Sequence, residues 1–218
     1  MPQPYASAAG LAPIADAVTR LRRAVQTIDP TGYNESMRKL IVQYAKDLTA
    51  GRLASGFEHS YRVYHLAREV GEGESYDDDV LHAASFLHNV ETPAIRLSES
   101  AQKAELILAE TGFQPEKIPR VIVAILNHRP GGNPTTMEGK LLYDANLLDT
   151  MGAIGFARLA IGAFFWHHYK SMAEVLDLVQ QRLGFADTFH FDRARELAEP
   201  KVAFLRDAVT VFEQEMKL

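Results

Sequence analysis

The helical spacing of apolar residues is the feature that most limits how this chain can fold. One segment, residues 35–48, places its apolar side chains three or four positions apart, at Met37, Leu40, Ile41 and Tyr44. This spacing puts them on one face of an α-helix. No segment shows the convincing alternation of apolar and polar residues that predicts a β-strand. We therefore predict an all-α fold, built as a helical bundle.

Turn and capping residues predict where several helices begin and end. Residues 77–79 are all aspartate, which is typical of a helix start, and they precede a nearly all-apolar segment that we expect to be central. Residues 29–32 (Asp-Pro-Thr-Gly) indicate a turn before the helix at 35–48. Residues 138–165 form a long apolar segment that we expect to be broken at its glycines, Gly152, Gly155 and Gly162.

Composition is that of an ordinary soluble protein and gives no sign of a nucleic-acid partner. Of the 218 residues, 47% are hydrophobic and 23% are charged, and the formal net charge is −5. Proteins that bind nucleic acids usually carry a basic surface, so we expect no nucleic-acid partner for this chain. No apolar run reaches the ~20 residues that cross a bilayer, and residues 1–10 do not resemble a signal peptide. We expect a cytoplasmic protein without a membrane partner.

Three motifs place an imidazole or a carboxylate among apolar neighbours, around His59, His88 and Asp144. The chain has no cysteine, so any metal must be held by nitrogen or oxygen ligands. A buried ionisable group must be paired, hydrogen-bonded or bound to a metal. Two imidazoles and one carboxylate suit a divalent transition metal, which can activate water and polarise a phosphoryl oxygen. A single buried histidine is more often an ordinary core residue, so these residues alone leave a structural role open.

The spacing and surroundings of these residues resemble the H…HD…D pattern of the HD-domain superfamily of metal-dependent phosphohydrolases. His59 opens the segment His-Ser-Tyr-Arg-Val, similar to the family's H-x-x-R-V start, and the doublet His88-Asn89 follows. Residues 144–158 (DANLLDTMGAIGFAR) resemble the DADRLDAIGAIGIAR stretch of one bacterial subgroup. The resemblance covers residues 35–218, which we expect to form the HD-like domain. Residues 1–34 would then be an N-terminal tail with an extra helix.

The resemblance implies an HD-like helical bundle that hydrolyses a small phosphate ester or nucleotide with metal-bound water. Carried over by position, the metal ligands would be His59, His88, Asn89 and Asp144. The resemblance implies one divalent ion and leaves its identity open among Mn²⁺, Co²⁺, Ni²⁺, Fe²⁺, Zn²⁺ and Mg²⁺. The expected partner is a small phosphorylated molecule. A homodimer is a further candidate assembly, because apolar helical chains of this length often form dimers.

Asn89 stands where the family has an aspartate, and Asn146 stands where the subgroup has another. An amide oxygen can still ligate a metal, but it carries no charge. We therefore expect weak binding of a single ion and no two-metal site. The alternative hypothesis is a catalytically weakened or inactive HD-like module that binds a ligand without turnover. Glu91 lies close to Asn89 and is a candidate for supplying the missing charge.

His128, Arg62 and Asp149 are the candidate catalytic residues. His128 either contacts a phosphate or shuttles a proton, or it interacts with the dipole at the end of a helix. Arg62 lies one turn after His59 and either binds a phosphate oxygen or forms an ion pair that orients a ligand carboxylate. Asp149 lies about 140° round a helix from Asp144. We expect it to orient a neighbouring group by a hydrogen bond rather than to ligate the metal.

Overall fold

The computed structural model describes residues 30–91, 97–165 and 168–217, and these ranges contain helices and no β-strand. The all-α prediction is therefore confirmed. The α-helices in these ranges are α1 (Pro30–Leu48), α2 (Phe57–Val70), α3 (Asp78–Leu87), α4 (Leu97–Thr111), α5 (Ile118–Leu126), α6 (Met137–Leu148), α7 (Gly152–Phe165), α8 (Met172–Leu183) and α9 (Asp192–Glu215). Short 3₁₀ turns lie at Pro115–Lys117 and Ala186–Thr188.

Helices α2, α3 and α6 form the centre of the fold. Helix α2 packs along α6 and against α3, while α5 packs against both α3 and α6. The last three helices pack on one another and reach the centre through the contact between α9 and α6. Every residue of α3 from Val80 to Leu87 is buried, so this helix is central, as its apolar sequence predicts. The functional side chains discussed below project from the ends of these central helices.

The residues at two helix starts explain where those helices begin. The carboxylate of Asp77 accepts hydrogen bonds from the main-chain N–H groups of Asp79 and Val80, as expected of an N-cap residue. The predicted turn at residues 29–32 is wrong in part, because α1 already begins at Pro30. Proline is well suited to the first turn of a helix, where its missing N–H is not needed.

Most of the N-terminal part of the chain lies outside the residues that the structure describes. The extra helix predicted within residues 1–34 falls outside the described residues, apart from the first residues of α1. The domain boundary expected between residues 34 and 35 stays a prediction, and α1 runs across that position without a break.

The apolar segment at 138–165 divides into α6 and α7, whose axes differ in direction by 83°. Of the three predicted breaks, only the one at Gly152 is present, with φ +72°. Gly155 and Gly162 lie inside α7, and a Cβ at Gly155 would come within 2.2 Å of the main-chain carbon of Thr150. Among the described residues, no single helix is long and apolar enough to cross a membrane. Helices α6 and α7 would be long and apolar enough if taken together, but they are separated by the bend.

We expect Gly152→Ala to destabilise the fold more than Gly73→Ala. Both glycines have positive φ, +72° and +85°, a conformation that costs an alanine about 1–2 kcal/mol. Only at Gly152 would the new Cβ also meet another helix, since Cγ of Lys201 would lie 3.2 Å away. Urea unfolding of the two variants measures the difference, and equal losses would contradict a tight contact between α7 and α9.

Candidate functional site

Two buried histidines from different helices meet at the centre of the candidate site. His59 lies in the first turn of α2, and His88 directly follows α3. Their exposed fractions are 1% and 0%, and their Nε2 atoms lie 3.0 Å apart. Gly56 permits the sharp turn before α2, because a Cβ at this position would lie 2.2 Å from the carbonyl oxygen of Arg52. The sequence-predicted pair therefore does come together.

Hydrogen bonds determine which nitrogen of each ring carries the hydrogen. His59 Nδ1 donates to Asp149 Oδ2 over 2.7 Å, and His88 Nδ1 donates to the carbonyl oxygen of Ser85 over 2.8 Å. An ionised carboxylate and a carbonyl can only accept, so the hydrogen of each neutral ring lies on Nδ1. The two Nε2 atoms then face each other with lone pairs. These lone pairs repel unless a proton or a metal cation lies between them.

The environment of the pair disfavours a proton on either Nε2 atom. Burial lowers the pKa of His59 to about 4, and the positive charge of Arg158 contributes to this shift. Burial also lowers the pKa of His88 well below its usual value. Both rings are therefore neutral near pH 7, which is the form that ligates metals. Two nitrogens that lie about 2.1 Å from one ion, at right angles, are about 3 Å apart, so the spacing fits a single ion.

Asp149, at the end of α6, connects three parts of the site. Its carboxylate accepts hydrogen bonds from His59, from Arg62 Nε over 2.7 Å and from Arg158 Nη1 over 2.7 Å. Although burial alone would raise it, the hydrogen bonds from His59 and Arg62 and the charge of Arg158 bring the pKa of Asp149 to about 2. Asp149 is therefore an anion that orients His59, which is the kind of role expected from its position. Of the two roles left open for Arg62, the structure shows an ion pair, made with Asp149.

Arg158 is a residue of the site that the sequence analysis missed. It lies in α7, and besides the Asp149 carboxylate it donates to the main-chain oxygen of Asp149 and to that of Ala54, each over 2.6 Å. It thereby ties α7 to the end of α6 and to the loop before α2. One signal was available in the sequence, since Arg158 is the only charged residue of the apolar helix α7.

The expected role of Asp144 as a metal ligand needs correction. Asp144 is fully buried in α6, and both of its oxygens accept hydrogen bonds at the start of α9. The donors are His190 Nδ1 at 2.8 Å and the main-chain N–H groups of His190 and Phe191 at 2.9 to 3.1 Å. The physical reason is helix geometry, because Asp144 lies on the side of α6 that meets the start of α9, whereas Asp149 reaches His59.

The amides and Glu91 do not restore a charged ligand set. Asn89 is 7% exposed, and its main-chain oxygen accepts a hydrogen bond from Arg52 over 3.0 Å. The Asn146 side chain donates to the main-chain oxygen of His128 over 3.2 Å. Glu91 forms an ion pair with Lys103 at 2.5 Å, so its carboxylate does not compensate for Asn89. Across residues 30–91, 97–165 and 168–217, no group of three His, Asp or Glu side chains is placed to hold a metal ion.

His128 extends the histidine pair to a row of three buried rings. Its ring centroid lies 4.8 Å from that of His88, which lies 5.0 Å from that of His59. Its Nδ1 donates to the carbonyl oxygen of Ile125 over 2.6 Å, and burial lowers its pKa to about 3. A ring that stays neutral at pH 7 is poorly suited to shuttle protons. The hydrogen bond at the end of α5 instead matches the helix-end role left open for this residue.

We expect the free energy of unfolding to decrease as the pH falls from about 6.5 to about 4. Burial lowers the pKa values of His59 and His82 to about 4 and that of His128 to about 3. Unfolded histidines have pKa values near 6.5, so the unfolded chain takes up protons first, which favours unfolding. Asp149 has a lowered pKa of about 2. Its contribution to the free energy of unfolding is therefore present above about pH 4 and is lost as the pH falls toward 2.

Urea unfolding in EDTA between pH 7.5 and 4.5 measures this dependence. His82→Gln should reduce the slope of stability against pH, because His82 is buried and lies outside the metal site. His65→Gln provides the matched control, since His65 is exposed in α2. A stability that does not change between pH 7 and pH 5 would contradict the interpretation that these histidines are held neutral.

Sequence comparisons support one family. The family model described as HD domain matches residues 56–151, a range that contains the histidine pair and Asp149. The protein YpgQ of Bacillus subtilis is 29% identical to this chain over 195 residues, which are 84% of this chain and 93% of YpgQ.

Solved structures share the fold over most of both chains. The crystal structure of Bacillus subtilis YpgQ in complex with ADP is 26% identical and has a TM-score of 0.66, covering 84% of this chain and 96% of that one. A Lactobacillus plantarum protein, 22% identical, has a TM-score of 0.71 over 88% and 99% of the two chains, a likeness of fold alone. A protein described as a predicted HD superfamily hydrolase, from an uncultured Thermotogales bacterium, is 25% identical with a TM-score of 0.55 over 84% and 92%. Residues 56–151 of this chain therefore match the HD-domain family, within an all-helical fold that is shared with a predicted HD superfamily hydrolase.

Proposed function

We propose that this chain is a metal-dependent phosphohydrolase that acts on a small phosphate ester or nucleotide. The observation that carries the proposal is the pair of Nε2 lone pairs on His59 and His88, 3.0 Å apart. A buried pair of this kind can hold a cation between its nitrogens, and both rings are neutral near pH 7. The similarity to HD-superfamily hydrolases supports hydrolysis. A relative whose structure contains ADP supports a nucleotide as the phosphate ester.

His59 and His88 would hold one divalent ion, with further ligands from water or from the amide oxygens of Asn89 and Asn146. When bound, such an ion lowers the pKa of a water ligand toward neutrality and polarises a phosphoryl oxygen. Imidazole nitrogens suit Zn²⁺, Co²⁺, Ni²⁺ or Fe²⁺ better than Mg²⁺, which prefers carboxylate and water oxygens. We therefore place the first group of ions ahead of Mg²⁺ for this chain.

The remaining side chains orient the histidines and present positive charge. Asp149 fixes the tautomer and direction of His59, as carboxylates do behind metal-binding histidines. Arg158 donates hydrogen bonds to both the carboxylate and the main-chain oxygen of Asp149, and these bonds hold Asp149 in place. Arg62 is 30% exposed while the Asp149 side chain is 4% exposed, so its guanidinium covers the carboxylate toward solvent. In this position Arg62 is available to an anionic substrate on its outer side.

A ligand-binding module without turnover is the second candidate function, and one structural feature favours it. Amides stand at positions 89 and 146, and the carboxylate of Asp144 is occupied by His190 and Phe191. A ligand set without a carboxylate attracts a divalent ion less strongly. The similarity to HD-superfamily hydrolases still favours the enzyme over this alternative.

The metal-free protein should bind one equivalent of Co²⁺ or Ni²⁺ in isothermal titration calorimetry. His88→Ala should weaken this binding by at least about 100-fold. Removing a residue that only hydrogen-bonds to a metal ligand already lowers metal affinity by about 10- to 100-fold, and His88 is a proposed ligand itself. His65→Ala, on the exposed side of α2, is the matched control and should bind as the wild type does. A wild-type protein that takes up none of Mn²⁺, Co²⁺, Ni²⁺ or Zn²⁺ would contradict the proposed function.

Asn89→Asp should strengthen metal binding by about tenfold or more, because it adds a charged oxygen beside His88. Asp144→Asn should leave metal affinity unchanged and lower the free energy of unfolding, since Asp144 stabilises the start of α9. Equal losses of metal affinity in Asp144→Asn and His88→Ala would refute the revised ligand assignment.

Turnover of p-nitrophenyl phosphate with each ion separates the two candidate functions. Activity in the unmodified protein, with little gain from Asn89→Asp, would exclude the inactive module. An inert protein that gains activity through Asn89→Asp would support it.

A further inference from the structure

Helix α7 has apolar side chains on its solvent side as well as on its core side. Its one charged residue, Arg158, donates to the carboxylate of Asp149. Ile154, Phe164 and Phe165 are exposed. They lie about three helical turns apart, so they share one side of the helix. A surface helix normally turns polar residues to water, and a helix that is apolar all round is normally buried in protein.

The end of this side of α7 is strongly exposed. Phe164 is 69% exposed and Phe165 is 61% exposed. Their rings meet edge to face, with the centroids 5.1 Å apart. The two rings therefore contact each other and still turn most of their surface to solvent. A single exposed apolar residue is ordinary, whereas a contiguous apolar surface marks a place of interaction.

Helix α9 extends this apolar surface beside α7. The two helices pack together, and the ring centroids of Phe156 on α7 and Phe212 on α9 lie 6.2 Å apart where they meet. Phe204 and Val211 of α9 are exposed and lie about two turns apart, so they share one side of α9. Val211 directly precedes Phe212, so that side adjoins α7. Five exposed side chains define what we call the α7–α9 face: Ile154, Phe164, Phe165, Phe204 and Val211.

The α7–α9 face is large enough for the contact between two chains. With the exposed fractions of its members and ordinary side-chain areas, it presents about 500 Å² of accessible surface per chain. Two such faces in contact would bury about 1,000 Å², the size that a specific interface requires. The face therefore provides by itself the area that a stable dimer needs.

Charge favours a second copy of this chain over a membrane as the occupant of the face. Helices that bind at membrane surfaces usually carry Lys or Arg beside the apolar side, whereas the one basic residue of α7, Arg158, is bound to Asp149. The net charge of −5 also repels anionic lipid. An uncharged apolar face is complementary to itself. A twofold dimer needs this property, because the same surface lies on both subunits.

Residues 1–29 are the other occupant that this chain could supply. Their apolar residues at helical spacing are Ile14, Val18, Leu21 and Val25. This segment joins the described fold at α1, which packs against α3 and α4, whereas α7 packs against α8 and α9. The chain thus enters the fold at a different group of helices from the one that carries the face. Position therefore also favours a second copy.

We propose that the α7–α9 face is the contact surface of a homodimer, in which a second copy of this chain places the same face against it. The dimer covers the outer side of α7, whose inner side holds Arg158 against Asp149. Assembly and candidate site thus share one helix. The assembly itself does not depend on the proposed hydrolase activity, because no residue of the face belongs to the site.

Sedimentation velocity of the full chain tests the dimer. The wild type should sediment with twice the mass of one chain at micromolar concentration. The double variant Ile154→Glu/Phe164→Glu should raise the dissociation constant of the dimer by at least about 100-fold, because each large apolar side chain lost from an interface weakens binding by about tenfold or more. Leu106→Glu is the matched control and should dimerise as the wild type does, since Leu106 is 66% exposed but lies in α4, outside the face.

A mixture of oppositely charged variants separates a lost interface from a misfolded chain. In a twofold dimer the glutamate variant repels a copy of itself, and Ile154→Lys/Phe164→Lys does the same. A mixture of the two should form heterodimers with a dissociation constant at least about tenfold lower than that of either variant alone, because opposite charges then meet across the interface. Far-UV circular dichroism verifies that each variant is folded.

Four results would overturn the proposal. The first is a wild type that stays monomeric up to hundreds of micromolar. The second is a dimer that Ile154→Glu/Phe164→Glu leaves as tight as Leu106→Glu does. The third is a monomer that pellets with phosphatidylserine vesicles unless the face carries the two glutamates, which would assign the face to a membrane. The fourth is a monomer whose free energy of unfolding falls equally in Leu21→Glu and Ile154→Glu, which would assign the face to residues 1–29.

Discussion

The carboxylate of Asp149 is the interaction on which the site depends. One buried anion accepts hydrogen bonds from an imidazole on α2 and from guanidiniums on α2 and α7. Removing one partner of a buried ion pair typically costs about 3–5 kcal/mol, because it leaves a charge uncompensated. Here the loss of Asp149 would leave Arg158 and Arg62 facing each other. It would also free the His59 ring to change tautomer, so stability and the geometry of the histidine pair rest on the same group.

The bend between α6 and α7 makes this arrangement possible. The chain turns through 83° at residues 149–151, and Gly152 adopts a positive φ that other residues rarely adopt. Helix α7 thereby returns toward the end of α6, and Arg158 reaches both the side chain and the main chain of Asp149. Helix α7 is otherwise apolar, so this one charged residue gives it a defined position against the central helices. The bend therefore belongs to the site as much as to the fold.

The amides at positions 89 and 146 change the electrostatic character of the site. Aspartates at these two positions would add negative charge near His88 and His128, whereas the amides present there are neutral. The histidine nitrogens favour ions that accept nitrogen ligands.

The sequence by itself determined most of the helices and the cap at Asp77, because helical spacing and capping depend on neighbours in the chain. The resemblance to a known family singled out His59 and His88, and the structure selected Gly152 from three candidate breaks. Tertiary structure alone decided which aspartate of α6 faces the histidines. Asp144 and Asp149 are both buried and only five residues apart, and the rotation of α6 between α2 and α9 gives the first to His190 and the second to His59. It also brought Arg158 to the site, because packing between helices far apart in sequence leaves no periodic signal along the chain.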